Sequence, residues 1–325
     1  MSILTPVEQL LLDLLAIPSV SGTEATIVNW LETRLKLSFE MVRIPSGNGR
    51  DSLLCLRGTP EIILCAHIDT VPGVVEIRAE ESAIFGRGAC DNKGAASAMI
   101  IAAEDAVKEG QENFALLFTV GEETTFDGAM AVSTYMKEKE IEPKRIIIGE
   151  PTDMKVVTGQ RGIFVPKIEC VGVAEHSSTD TPNSAIHKLV NLLSQLLTHS
   201  FPETTYHVGL IEGGTADNVV AGHASATLAF RSTQTDIRER VEAVLAQIGI
   251  EHTITIQLDI KAVDHTPAGQ LKEVVKYFTE MAFLPNSFVV GPGSIKNAHT
   301  DSEFVPKTEL NAAVELYKGY LNSRD

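Results

Sequence analysis

Short apolar runs closed by turn residues recur along the chain, and four of them lead into a His or a Glu. Ile62-Ile63-Leu64-Cys65-Ala66 lies between Gly58-Thr59-Pro60 and Pro72-Gly73 and runs into His67-Ile68-Asp69. A continuous apolar run of that length, bounded by turns, predicts a strand buried inside a sheet. Residues 115–120 repeat the pattern and end in Gly121-Glu122-Glu123, and residues 145–148 end in Gly149-Glu150. Residues 287–290 are the fourth run, followed by Gly291-Pro292-Gly293 and then His299.

Helical spacing fills the intervals. The capping box Thr5-Pro6-Val7-Glu8 starts a helix that ends before Pro18. Ile27, Trp30, Leu31 and Leu35 form a stripe over residues 23–37. The loop Gly86-Arg87-Gly88-Ala89-Cys90-Asp91-Asn92-Lys93-Gly94 opens a helix that Gly110 stops, with alanines at 95, 96, 98, 102 and 103 that let it lie close on a sheet. Residues 129–139, 268–283 and 306–322 read as further helices, residues 52–56 as a short strand and 77–85 as a hairpin. This alternation predicts an α/β domain whose mixed, mostly parallel sheet is flanked by helices. The middle of the chain has another rhythm: strand 163–171, helix 184–197, strands 206–211 and 224–230, helix 236–248, strand 253–258. That β-α-β-β-α-β order predicts a ferredoxin-like α+β domain. Residues 159–265 would thus be an insertion in a discontinuous catalytic domain made of 1–158 and 266–325.

Composition narrows the function. The net charge of −16 argues against nucleic acid, whose phosphates need Lys and Arg. The apolar run around Leu10-Leu11-Leu12 is interrupted by Asp13 and is too short to span a bilayer, so no membrane partner is expected. Cys55, Cys65, Cys90 and Cys170 show no C-x-x-C spacing, which fits buried thiols in a reducing cytoplasm. The loop at 86–94 approaches the dinucleotide fingerprint, but Asp91 stands where the third glycine belongs and would repel a pyrophosphate. A carboxylate on a loop feeding a helix suits a metal ligand better.

The carboxyl ends of strands are where open α/β sheets build sites. His67, Asp91, Glu123, Glu150 and His299 are the candidate ligands, a nitrogen and oxygen set that suits zinc, with cobalt or manganese as alternatives. Five ligands exceed what one catalytic zinc with an open position takes. They suit two ions about 3.5–4 Å apart, with one carboxylate bridging and a shared water. Of the neighbours Glu122 and Glu123, one can bind metal while the other stays free as a base.

The motifs Leu64-x-x-His67-x-Asp69-Thr70-Val71-Pro72, Gly86-Arg87-Gly88-Ala89-x-Asp91-x-Lys93-Gly94, Gly121-Glu122-Glu123, Gly149-Glu150-Pro151-Thr152, and Gly291-Pro292-Gly293-Ser294 with Ala298-His299-Thr300 together resemble the zinc-dependent acetylornithine deacetylase and succinyl-diaminopimelate desuccinylase family. The resemblance implies that His67 and Glu150 hold one ion, Glu123 and His299 the other, and Asp91 bridges. It implies that Asp69 orients His67 and that Glu122 is the general base. It also makes the insertion a lid and dimerisation domain, with His176 steadying the oxyanion, Asn218 and Gly293 facing substrate, and Arg231 taking the substrate carboxylate. The expected reaction is deacylation of a small N-acyl amino acid, such as N-acetylornithine or N-acetyl-lysine, in amino-acid biosynthesis. A di- or tripeptidase or a carboxypeptidase is the alternative, and a non-catalytic metal-binding protein the remote one. A homodimer through the insertion is expected.

Overall fold

The computed structural model describes residues 3–179, 183–267 and 273–323. The chain divides into two compact units. The first comprises Met1–Thr158, His265–Glu273 and Thr279–Asp325. Its main sheet has six strands in the order Glu40–Pro45, Asp51–Arg57, Phe114–Thr119, Ile62–His67, Arg145–Ile148, Ser287–Val289. The first two pairings are antiparallel and the other three parallel. Ile62–His67 sits inside the parallel part and every one of its residues is buried, as its unbroken apolar run requires.

Successive side chains of a strand face opposite ways. Leu64, Ala66, Leu116, Phe118 and Ile147 join one core cluster with residues from the helices Pro6–Leu15, Ala25–Leu35, Lys93–Lys108 and Lys307–Asn322. Helix Lys93–Lys108 lies close because its inward positions are alanines, with Ala95, Ala96, Ala98, Ala102 and Ala103 all fully buried. Helix Asp127–Glu138 packs against Glu40–Pro45 and Asp51–Arg57. Tyr317 carries one of the largest buried side chains, and its hydroxyl donates to the Val290 carbonyl at 2.8 Å. That bond ties the last helix to the chain just past Ser287–Val289.

The helix expected at 268–283 is corrected by the structure. Residues 268–272 lie outside the described residues. Beyond them come a short strand, Val274–Val275, and a 3-10 turn, Glu280–Ala282, capped by the Thr279 side chain. Val274 and Val275 pair in parallel with Gly159 and Gln160. Their apolar spacing fits a helix equally well, and tertiary strand pairing overrides that weak local preference.

The second unit comprises Gly159–Asp264 with Val274–Phe278. Its four-stranded sheet runs Thr204–Gly213, His223–Ser232, Gly162–Val171, Thr253–Ile260, all antiparallel. With helices Ala185–Leu196 and Ile237–Ile248 this gives the β-α-β-β-α-β sequence of elements. Phe164, Ile168, Leu189, Leu192, Phe230 and Val241 are central to its own core.

Candidate active site

The strand Ile62–His67 delivers His67 at its carboxyl end, almost fully buried. Its Nδ1–H donates to the Asp69 carbonyl at 3.1 Å. That assignment of the ring proton turns Nε2 toward Asp91 Oδ1 at 2.8 Å and Glu150 Oε1 at 3.7 Å. Asp91 comes from the loop ahead of helix Lys93–Lys108, and its Oδ2 lies 3.3 Å from Nε2 of His299. The same His299 nitrogen is 3.0 Å from the Glu123 carboxylate. Three groups bring their donor atoms within 4.8 Å of one another: the all-carboxylate Glu122, Glu150 and Glu280, and two that include an imidazole, His67 with Asp91 and Glu150, and Asp91 with Glu123 and His299. Asp91 is common to both. All five ligand candidates from the sequence therefore come together.

Gly121, at φ +69°, turns the chain after Phe114–Thr119. A Cβ there would stand 2.3 Å from Asp127 Oδ1 and 2.6 Å from Arg50 Nη1. The next two amides, Glu122 N–H and Glu123 N–H, donate to the two carboxylate oxygens of Asp69 at 3.1 and 3.2 Å, and Ser21 Oγ–H adds a third bond at 2.7 Å. The Asp69 carboxylate is thus spent chiefly on the glutamate turn. Its nearest oxygen is 3.5 Å from His67 Nδ1, so the carbonyl of Asp69 is the closer partner orienting that ring.

The two neighbouring glutamates part as their turn requires. Glu123 joins Asp91 and His299, whereas Glu122 groups with Glu150 and Glu280. Glu280 was missed by the sequence reading. It sits fully buried in the 3-10 turn, accepts from Thr119 Oγ1–H at 2.6 Å, and leaves Oε2 without a partner. The available signal was a lone acid within Phe278-Thr279-Glu280-Met281-Ala282-Phe283. Cys90 is inert: burial pushes its thiol well up, and Sγ donates to the Ser294 carbonyl. Gly293, at φ +89°, leaves room for that sulfur, since a Cβ there would stand 2.7 Å from it.

Burial dominates the electrostatics. It raises the proton affinity of Glu122 and of Glu150 far above the carboxylate range, with neighbouring carboxylates adding to it. For His67 burial works the other way, but hydrogen bonds to Asp69 and Asp91 outweigh it and raise the imidazole well above its usual value. Hydrogen bonds to Asp91 and then Glu123 raise His299 to about 10. Asp91 is correspondingly lowered: burial opposes its ionisation, and the bonds to His299 and His67 overcome that. Both imidazoles therefore hold a proton more tightly than a free histidine does. A metal ligand must shed that proton, so metal uptake at pH 7 should release protons and affinity should climb with pH toward about 10. Calorimetric titration of zinc in buffers of different ionisation heat measures the release; heats independent of buffer contradict it.

His176, Asn218 and Arg231 belong to the second unit. His176 bridges to Val219, and Ser177 N–H donates to the Asn218 carbonyl at 3.1 Å, so the first two are neighbours. His176 Nδ1 accepts from Ser178 N–H at 3.3 Å and faces Ser178 Oγ at 2.8 Å. With Nδ1 an acceptor, Nε2 carries the ring hydrogen and is free to donate. Arg231, half-buried on strand His223–Ser232, makes no ion pair among the described residues, and burial lowers its pKa.

A buried glutamate beside two ligand groups that share one carboxylate, all at the carboxyl edge of a largely parallel sheet, defines a metal-dependent hydrolase. The sequence model of peptidase family M20/M25/M40 matches residues 63–323, and the chain belongs to that family. It is 29% identical over 334 residues to a peptidase M20 domain-containing protein of Schizosaccharomyces pombe, covering 94% of this chain and 81% of the relative. It is 29% identical over 363 residues to a probable carboxypeptidase of Aspergillus niger, covering 94% and 86%. Among solved structures, a tripeptidase of Staphylococcus aureus shares the fold at a TM-score of 0.78 and 19% identity, over 96% of each chain. A Bacillus subtilis protein described as a dinuclear metal binding peptidase from the M20 family shares it at 0.74 and 14% identity, over 97% and 96%. These four carry peptidase names rather than deacetylase names. No helix among the described residues is long and apolar enough to cross a membrane.

Proposed function

We propose that the chain is a two-metal amide hydrolase that releases a carboxyl-terminal amino acid from a short peptide. The observation that carries this is the sharing of Asp91 by the two ligand groups, with Glu122 beside them. The residues fit the ions: the donors are imidazole and carboxylate, and Glu150 Oε1 is buried without any hydrogen-bond partner. His67 and Glu150 would hold one ion, His299 and Glu123 the other, with Asp91 between. Bound there, zinc, cobalt or manganese supplies Lewis acidity toward a water and the scissile carbonyl. Glu122 takes a proton from the attacking water as its oxygen bonds to the carbonyl carbon, and returns it to the amine as the C–N bond breaks. Its carboxylate suits that transfer because burial favours the protonated form.

Curated relatives named as probable carboxypeptidases favour a substrate with a free carboxylate, and the guanidinium of Arg231, without an ion pair among the described residues, is a fitting receptor for one. N-acyl amino acids form the second reading. They present the same carboxylate beside the same amide, and the motif set as a whole resembles the acetylornithine deacetylase family. In both, the second unit acts as lid and dimerisation surface, and His176 donates from Nε2 to the oxyanion. A panel of short peptides and N-acyl amino acids, each free and amidated at the carboxyl end, tests the proposal by amine release. Free acids should be strongly preferred, and Arg231→Lys should raise KM and erase most of the preference, because an ammonium cannot reproduce the two-pronged contact. Equal turnover of free and amidated substrates by the parent contradicts the reading.

A further inference from the structure

Glu303 has no place in the reaction, yet its carboxylate is fully buried and accepts four hydrogen bonds. Its Oε1 accepts three backbone N–H groups at 3.0 Å, from Gly88, Cys90 and Asp91. Its Oε2 accepts from Arg87 Nη1 at 2.6 Å, and its own carbonyl accepts from Gly86 N–H at 3.1 Å. Residues 86–91 therefore wrap a side-chain carboxylate as backbone nests wrap a bound anion. The carboxylate is itself fixed, since strand Phe304–Pro306 pairs antiparallel with Ala83–Phe85, setting Phe304 opposite Phe85. The loop needs such a centre. Gly86 and Gly88 take positive φ, at 156° and 90°, and glycines hold a conformation poorly without outside contacts.

We propose that Glu303 is the positioning residue that sets Asp91 between the two ligand groups, so that both ions depend on one carboxylate that touches neither. A second buried acid close to Asp91 is electrostatically unfavourable, and a loop needing only to be filled would be served by an apolar side chain. What an apolar side chain cannot do is gather three amides, one of them the amide of Asp91 itself. Placing the shared ligand in this way gives a consequence that ordinary loss of stability does not: the two ions weaken together.

The inference rests on the two-metal reading, and the test separates the two. Metal-free protein is titrated with zinc against a chromophoric chelator for the parent, Glu303→Gln, and Glu123→Ala as a control that removes a ligand from one group only. Melting of the metal-free proteins is followed in parallel. Glu303→Gln keeps the shape but sets an amide nitrogen against either Arg87 or the backbone N–H groups. It should weaken both ions by a common factor, on the order of 10- to 100-fold, with the fold retained, while Glu123→Ala weakens one. Should Glu303→Gln not fold, Arg87→Gln removes the partner of Oε2 and carries the same expectation at smaller size. A folded variant with unchanged affinities, or with only one ion weakened, overturns the proposal. A parent chain that saturates at one ion overturns the two-metal reading and this inference with it.

Discussion

Replacing Glu122 with Gln should lower kcat by roughly 100- to 10,000-fold, the usual worth of a positioned general base, while the metal content of the protein stays unchanged. The side chain belongs to the group with Glu150 and Glu280, not to the one with Asp91, Glu123 and His299. An amide keeps its volume and loses only the ability to accept the proton. The variant should also be more stable than the parent in chelator. A buried carboxylate whose pKa is raised on folding costs stability at every pH above its unfolded value of about 4.3, and Glu122 is raised by burial first and by Glu280, Asp91 and Glu123 after it. Stability gained where activity is lost is the signature of a functional site. Elemental analysis, steady-state kinetics and thermal melting of the one variant test all three statements. Loss of an ion from Glu122→Gln would show that the roles of the two glutamates are exchanged.

His176→Ala should cost about 2.7–4 kcal/mol of transition-state stabilisation, the loss found when one oxyanion donor is removed, again with metal content unchanged. The geometry behind this is local: Ser178 N–H occupies Nδ1, which leaves the Nε2 hydrogen outward on an exposed ring. The proposed twofold pairing of second units, with each His176 serving the neighbouring chain's site, is open to a direct test. Dimers mixed from His176→Ala and Glu122→Gln chains decide this. One kind of site then holds an intact Glu122 and receives an intact His176, so activity should return in about half the sites of such dimers. Verified mixed dimers that stay inactive would place His176 at its own chain's site or outside the chemistry.

Much of this was legible in the sequence because a strand buried on both faces has a distinctive composition. Ile62 to Ala66 could hardly be exposed anywhere, and the His and Glu that follow such runs had to emerge at one edge of the sheet. Strand Gly162–Val171 was legible because its positions alternate, buried and half-buried residues taking turns along it. What escaped was set by tertiary partners. Strand Glu40–Pro45 is an edge strand, mostly exposed or half-buried, whose register comes from Asp51–Arg57. Residues 273–283 look helical until Gly159 and Gln160 claim Val274 and Val275. Glu280 and Glu303 escaped for a related reason. Nothing local distinguishes a surface acid from one that will be buried beside Thr119 or ringed by the amides of a loop 212 residues away.

The number of divalent ions bound per chain tests the account most directly. Chelator-treated protein titrated with zinc, with bound metal and amine release measured on the same samples, should saturate at two ions per chain, full activity arriving only with the second. Saturation at one ion with full activity would contradict the sharing of Asp91 by two metals, and with it the mechanism built on that carboxylate.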